Sequence, residues 1–304
     1  MSVQTIDSPA VGRVRAIDTI YPPPPVHWVG DGFRVMGYFA QDPQLVRKLS
    51  PFVLIDYHAP FLYPPTTNAR RGVGPHPHRG FETVTVAFDG SVAHHDSTGA
   101  GGIIGPGDVQ WMTAGAGILH KEYHEQGFAR AGGRLHLMQI WLNLPAALKM
   151  TAPAYQPLER DAIAVVALPD NAGSVRVIAG RYAGVAGAAR TFTPIDMLEV
   201  RLRAKGCLEL DLPLHHNTAV LVMNGSVAIN TERTAHANDF VLFGHAGKTI
   251  AIQSATDDAH LMVLSGEPID EPVAQYGPFV MNTEAELRTA VSDYNRGLFG
   301  TLAD

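Results

Sequence analysis

With 304 residues, the chain has ample length for one large or two ordinary domains, each with a buried core. A net charge of −6 without any Lys/Arg run excludes a general nucleic-acid surface and suits a protein partner better than DNA. The single cysteine, Cys207, excludes an internal disulfide or a Cys-based zinc module and reads as a buried thiol. No stretch approaches the ~20 apolar residues of a membrane span, and Met1 to Pro25 carries no apolar export core, so a cytoplasmic location is expected. The 30 glycines and 22 prolines favour many turns between short strands.

Before residue 70 the chain reads as irregular, with Pro22 to Pro25 forming a stiff extended connection. From Phe81 the pattern becomes all-β. Residues 83–88, the turn Asp89-Gly90 and residues 91–95 predict a hairpin. Further short strands are predicted at 109–112, 135–144, 162–168, 174–179, 196–202, 208–212, 219–223, 227–230, 240–243, 249–252 and 261–264. Such spacing belongs to a sandwich or barrel. Thr283 and Glu286 form a capping box before Leu287, Ala290, Val291 and Tyr294 at helical spacing, which predicts a C-terminal amphipathic helix of about four turns packed on a barrel.

The two halves share a repeat. Phe88-Asp-Gly-Ser-Val-Ala93 aligns with Met223-Asn-Gly-Ser-Val-Ala228, an offset of 135 residues from Gly90 to Gly225. A duplicated antiparallel β-barrel accounts for this, with domains at 1–155 and 156–304 and the helix in the second. The same offset carries His76 and His78 to Asp211 and Pro213, and the nearby His215 and His216 are adjacent and so face opposite ways on a strand. One half is therefore expected to bind metal and the other to lack it.

The metal signal is a pair of clusters, His76-Pro77-His78 and His120-Lys121-Glu122, in strand-like runs. Side chains two apart on a strand share a face, so each cluster aims two ligating groups one way. Three imidazoles and a carboxylate without thiolate suit Fe(II), Mn(II), Ni(II), Cu(II) or Zn(II). Parity admits Glu82 as well as Glu122 for the carboxylate, and His124 as a further ligand. An ideal Asp89-Gly90 hairpin would turn His95 toward the metal. Gly105-Pro106-Gly107-Asp108 and Gly115-Ala116-Gly117 read as turns, the second also able to bring backbone close to the site.

Three segments carry a family resemblance: His76-Pro-His-Arg-Gly-Phe-Glu-Thr83, residues 106–115 and Gly117-Ile-Leu-His-Lys-Glu122. Together with Gly266-Glu-Pro268 and residues 275–282, they resemble the pirin family of the cupin superfamily from about Pro51 to Asn295. The resemblance implies a bicupin: two tandem jelly-roll β-barrels, of which only the N-terminal one holds metal. It implies His76, His78, His120 and Glu122 as ligands, choosing Glu122 over Glu82. It further implies an Fe(II)-dependent dioxygenase like quercetin 2,3-dioxygenase, opening a flavonol with O₂ and releasing carbon monoxide, with Glu122 also accepting the substrate's hydroxyl proton. The alternative it implies is a non-enzymatic iron-binding regulator that docks on a protein partner.

Overall fold

The computed structural model describes residues 14–40, 42, 44–66, 70–255 and 257–302; the start of the segment read for an export core, residues 1–13, lies outside them. The chain forms two compact units, each an antiparallel barrel of one seven-stranded and one four-stranded sheet.

In the first unit, residues 24–162 and 269 onward, the larger sheet runs Ala154–Leu158, Val109–Thr113, Phe81–Asp89, Gly133–Asn143, Phe52–Tyr63, Phe33–Gly37, Val26–Val29. The smaller runs Gly72–His78, Ile118–His124, Val92–Asp96, Gly101–Ile104. In the second unit, residues 163–268 with 14–23, the larger sheet runs Ile17–Tyr21, Phe240–Phe243, Asn217–Asn224, Ala259–Gly266, Ile195–Leu202, Gly173–Ala179, Val165–Ala167. Its smaller sheet is Cys207–Asp211, Thr249–Ser254, Ser226–Ile229, Arg233–His236. Each strand of these two sheets in one unit has a counterpart at the same place in the sheet order of the other. Even a register shift recurs, between Asp89↔His136 and Ala87↔Leu137 in one and between Asn224↔His260 and Val222↔Leu261 in the other.

Three expectations need correction. The segment before residue 70 is not irregular. It holds Val26–Val29, Phe33–Gly37 and the twelve-residue Phe52–Tyr63, whose alternation is masked by apolar residues on both faces and by the exposed Pro60. Asp89-Gly90 does not close a hairpin. A tight type I′ turn needs positive φ at both central residues, and here only Gly90 has it (φ 77°). The chain instead crosses between sheets, so Phe81–Asp89 pairs in the larger and Val92–Asp96 in the smaller.

The expected cut at 155/156 gives two continuous domains, whereas the compact units are each built from two stretches of chain. Ile17–Tyr21 pairs with Phe240–Phe243 in the second barrel, and the C-terminal segment returns to the first. The predicted helix is Glu284–Asn295, capped reciprocally by Thr283 and Glu286. Ala290, Leu287 and Val291 pack with Phe279, Phe299 and Leu119 of the first unit, because the apolar stripe needs that partner to leave water. Finally, Cys207 is half-buried rather than buried. No helix among the described residues is long and apolar enough to cross a membrane.

Candidate metal centre

Ile118–His124 is the strand on which the centre is built. It pairs with Gly72–His78 on one side and Val92–Asp96 on the other. His120 lies opposite His76 on the first neighbour and Asp96 on the second, and Glu122 lies opposite His94. The period of two then aims His76, His78, His94, His120 and Glu122 into the barrel. Two overlapping clusters result: His76, His78 and His120, and His94, His120 and Glu122, each with ligand atoms within 4.8 Å of one another.

Hydrogen bonds fix which ring nitrogens are free. His76 Nδ1 donates to Gly74 O at 2.8 Å and His78 Nδ1 to Pro278 O at 3.3 Å, since carbonyls only accept. In each ring this turns Nε2 away from the carbonyl and makes it the nitrogen free to ligate. The third ring is set through His94. Gln110 Nε2 lies 3.4 Å from Glu122 Oε1 and 3.1 Å from His94 Nδ1, so its two protons serve a carboxylate and a ring nitrogen that must accept. His94 Nε2 accordingly carries the proton and faces Asp96 Oδ2 at 3.4 Å. His120 Nδ1, 3.3 Å away, shares the single lone pair of His94 Nδ1 with Gln110 and so carries the proton of its own ring. That leaves His120 Nε2 with a lone pair, buried and without a hydrogen-bond partner.

An unmet buried acceptor costs about 1–3 kcal/mol, and a metal ion is the group that would satisfy it. Burial, reinforced by the neighbouring imidazoles, pushes His78 and His120 well below the usual imidazole range. They are therefore neutral and ready to ligate at physiological pH. The residues present thus fit a divalent cation.

A cavity of about 310 Å³ opens onto His76, His78 and Glu122. Its walls are apolar, including Val29, Phe33, Val35, Val73, Leu137 and Trp141, whereas Thr85, Gln139 and Asp56 add polar groups. Trp141 packs against His78 with ring centroids 5.1 Å apart. This is a concave, mostly apolar site with a few convergent polar groups, suited to an aromatic ring.

The remaining sequence candidates fall elsewhere. Glu82 belongs to neither cluster among the described residues. It accepts from Thr113 Oγ1 at 2.8 Å, and burial raises its carboxyl to about 7. His124 donates from Nε2 to Gly32 O at 2.8 Å and packs edge-on against Tyr63. Glu125 caps the short helix Gln126–Ala131. His95 is exposed, on the face opposite His94, because the strand belongs to a different sheet from the one an ideal hairpin implies. His94 is the residue that sequence reasoning missed. The signal for it is the alternation Val92-x-His94-x-Asp96, all buried, with His95 on the other parity.

Comparison with known proteins was consistent across sequence and structure. The family profile described as Pirin matches residues 32–142, and that described as Pirin C-terminal cupin domain matches residues 197–300. A Pseudomonas aeruginosa protein provisionally named quercetin 2,3-dioxygenase is 50% identical over 273 residues, 90% of this chain and 94% of its own length. A Caulobacter vibrioides pirin-like protein is 40% identical, covering 83% of this chain and 88% of its own. A crystal structure of quercetin 2,3-dioxygenase from Acinetobacter baumannii matches with a TM-score of 0.91 at 44% identity, over 95% of this chain and all of that one.

Proposed function

Because the chain belongs to the pirin family of cupin proteins, we propose that it is a metal-dependent dioxygenase opening a flavonol or related phenolic ring with O₂. The observation that carries this reading is an apolar cavity ending on a cluster of imidazoles and a carboxylate. The names of the Pseudomonas and Acinetobacter relatives support the substrate class.

His76, His78, His120 and Glu122 would hold the ion, and Fe(II) is the proposed occupant because imidazole and carboxylate ligands with open positions suit non-haem iron in O₂-using sites. When bound, the metal supplies Lewis acidity toward the phenolic oxygen and redox access to O₂. The protein's own groups do the rest. Glu122 accepts the substrate's hydroxyl proton, general-base work for which its place on the cavity wall suits it. Gln110 donates to Glu122 Oε1 and holds that carboxylate in line. Thr85 has one hydroxyl proton, and its 2.6 Å contact with Gln139 Oε1 takes it in preference to the 3.4 Å contact with Glu122. The carboxylate is therefore not saturated with donors. Val29, Phe33, Val35 and Leu137 exclude water from the ring.

The test is O₂ consumption and carbon monoxide release by anaerobically iron-loaded protein given a flavonol. Wild type should turn over, and Glu122→Ala should lose at least a hundredfold. Full iron occupancy with no O₂ uptake across a panel of phenols overturns the enzymatic reading and leaves a binding protein.

A further inference from the structure

A row of polar side chains crosses the larger sheet of the first barrel. Ladder register sets Gln110 beside Thr85, Thr85 beside Gln139, and Gln139 beside Asp56. The bond from Thr85 turns the Gln139 amide so that its Nε2 protons are left over. Asp56, at the end of the row, lines the cavity, and among the described residues no donor lies within hydrogen-bond distance of its carboxylate. Gly37, its ladder partner, makes room for it: a Cβ there would meet Asp56 Oδ1 at 3.0 Å and His27 Cε1 at 3.1 Å. Burial raises the Asp56 carboxyl to about 6, with His27 working in the opposite direction.

The fold does not need polar groups here. Gly90 corresponds to Gly225, so Thr85 corresponds to Val220, whose ladder partners are Val241 and Val263 where Thr85 has Gln110 and Gln139. Val263 in turn pairs with Leu198, where Gln139 pairs with Asp56. The same row is wholly aliphatic and buried in the second barrel. An unpaired carboxylate facing an apolar cavity costs stability, so it is kept for something outside the fold.

We propose that Asp56 and Gln139 form an acceptor–donor anchor for adjacent hydroxyl groups on the distal ring of an aromatic substrate. The proposal rests on the reading above, in which the proximal hydroxyl sits at the metal. The carboxylate accepts from one hydroxyl while the amide N–H donates to the oxygen of its neighbour. Asp56 stands two strands, roughly 10 Å at the backbone, from Thr85, which touches Glu122 of the metal centre. That separation fits two linked rings rather than one, and the ligand class is a vicinal dihydroxyphenyl group carried on a flavonol-like core.

Nickel-loaded full-length protein under argon, where no turnover occurs, is titrated with 3-hydroxyflavone and with 3,3′,4′-trihydroxyflavone, following quenching of tryptophan fluorescence. Wild type should prefer the trihydroxy probe by about tenfold or more. Asp56→Leu, Asp56→Asn and Gln139→Val should each bring the ratio of the two Kd values toward one, with folding checked by thermal melting. A ratio unchanged in all three variants, or a wild type without preference, overturns the anchor. Failure of wild type to bind either probe removes both the anchor and the flavonol reading. An Asp56-dependent preference in a protein that consumes no O₂ when iron-loaded keeps the anchor and removes only the oxygenase.

Discussion

The two barrels share strand order, register and even a bulge, yet their interiors are chemical opposites. His94 corresponds to Ile229, four residues beyond the matched glycines Gly90 and Gly225. His94 pairs with Glu122 and Ile229 with Ile252; two residues back, His120 corresponds to Ile250. His120 pairs with His76 and Ile250 with Leu210, which leaves Leu212 for His78. Ladder register thus improves on simple counting, which carries these histidines to Asp211 and Pro213. Every member of the ligand cluster has an aliphatic counterpart, and all five counterparts lie in one buried cluster. The lesson is that this barrel closes well around leucine and isoleucine. Polar groups at the same positions cost desolvation, and their retention in one copy alone marks that copy as the one shaped for ligands.

The largest effect should come from erasing the difference. Installing the second barrel's residues in the first, as His76→Leu, His78→Leu, His120→Ile and Glu122→Ile, should abolish metal binding while leaving a folded protein. Elemental analysis per chain and circular dichroism check this, and metal retained at wild-type stoichiometry would refute the ligand assignment. The reverse change, Ile250→His, should destabilise the second barrel by about 2–4 kcal/mol, because a lone imidazole replaces a fully packed side chain without partners. Chemical denaturation reads that loss; a cost below about 1 kcal/mol would mean the interior is less tightly packed than described.

A subtler way to blur the comparison is His94→Ala. It removes the acceptor that holds His120 in its Nε2-free tautomer and should weaken metal affinity about 10–100-fold, measured by competition with a chelator. His94→Gln, which restores a side-chain acceptor, should recover part of the loss. The smallest effect lies in the second barrel, where Glu199 is buried but is not a member of the aliphatic cluster. Burial works to raise the Glu199 carboxyl, but the His260 hydrogen bond and the charges of Arg176 and Arg201 outweigh it and hold it at about 2. A carboxyl lowered on folding contributes stability that is present above its ordinary value of 4.5 and lost as pH falls from there toward 2. Allowing for the exposure of Arg201, wild type should lose on the order of 1–2 kcal/mol more than Glu199→Gln across that window, by denaturation at each pH.

Much of this was legible in the sequence because it was written in local spacing. His76-x-His78 and His120-x-Glu122 need only the strand period, and the Gly-Ser-Val-Ala repeat needs only alignment. Most strands of the second half alternate cleanly or run short and aliphatic, and they match the observed elements to within a few residues. What escaped depends on which strands become neighbours. His94 was hidden by a turn whose sequence suits a hairpin but whose backbone crosses between sheets. Asp56 was hidden inside Phe52–Tyr63, a strand with apolar residues on both faces, and its partners Gln139 and Thr85 come from strands distant in sequence. The interleaving of the chain ends was equally beyond reach, since nothing in Ile17–Tyr21 announces Phe240–Phe243 as its partner.

The carbonyl that orients His78 belongs to Pro278, 200 residues further along the chain. During synthesis, the His76 ring and its Gly74 acceptor emerge together, whereas the acceptor of His78 exists only once residue 278 has been made. The hydrogen-bond frame of the candidate centre is thereby tied to synthesis of the segment around Pro278. A product lacking residue 278 would present His78 without its acceptor, whereas a chain that includes it would offer an incoming ion three rings already aligned.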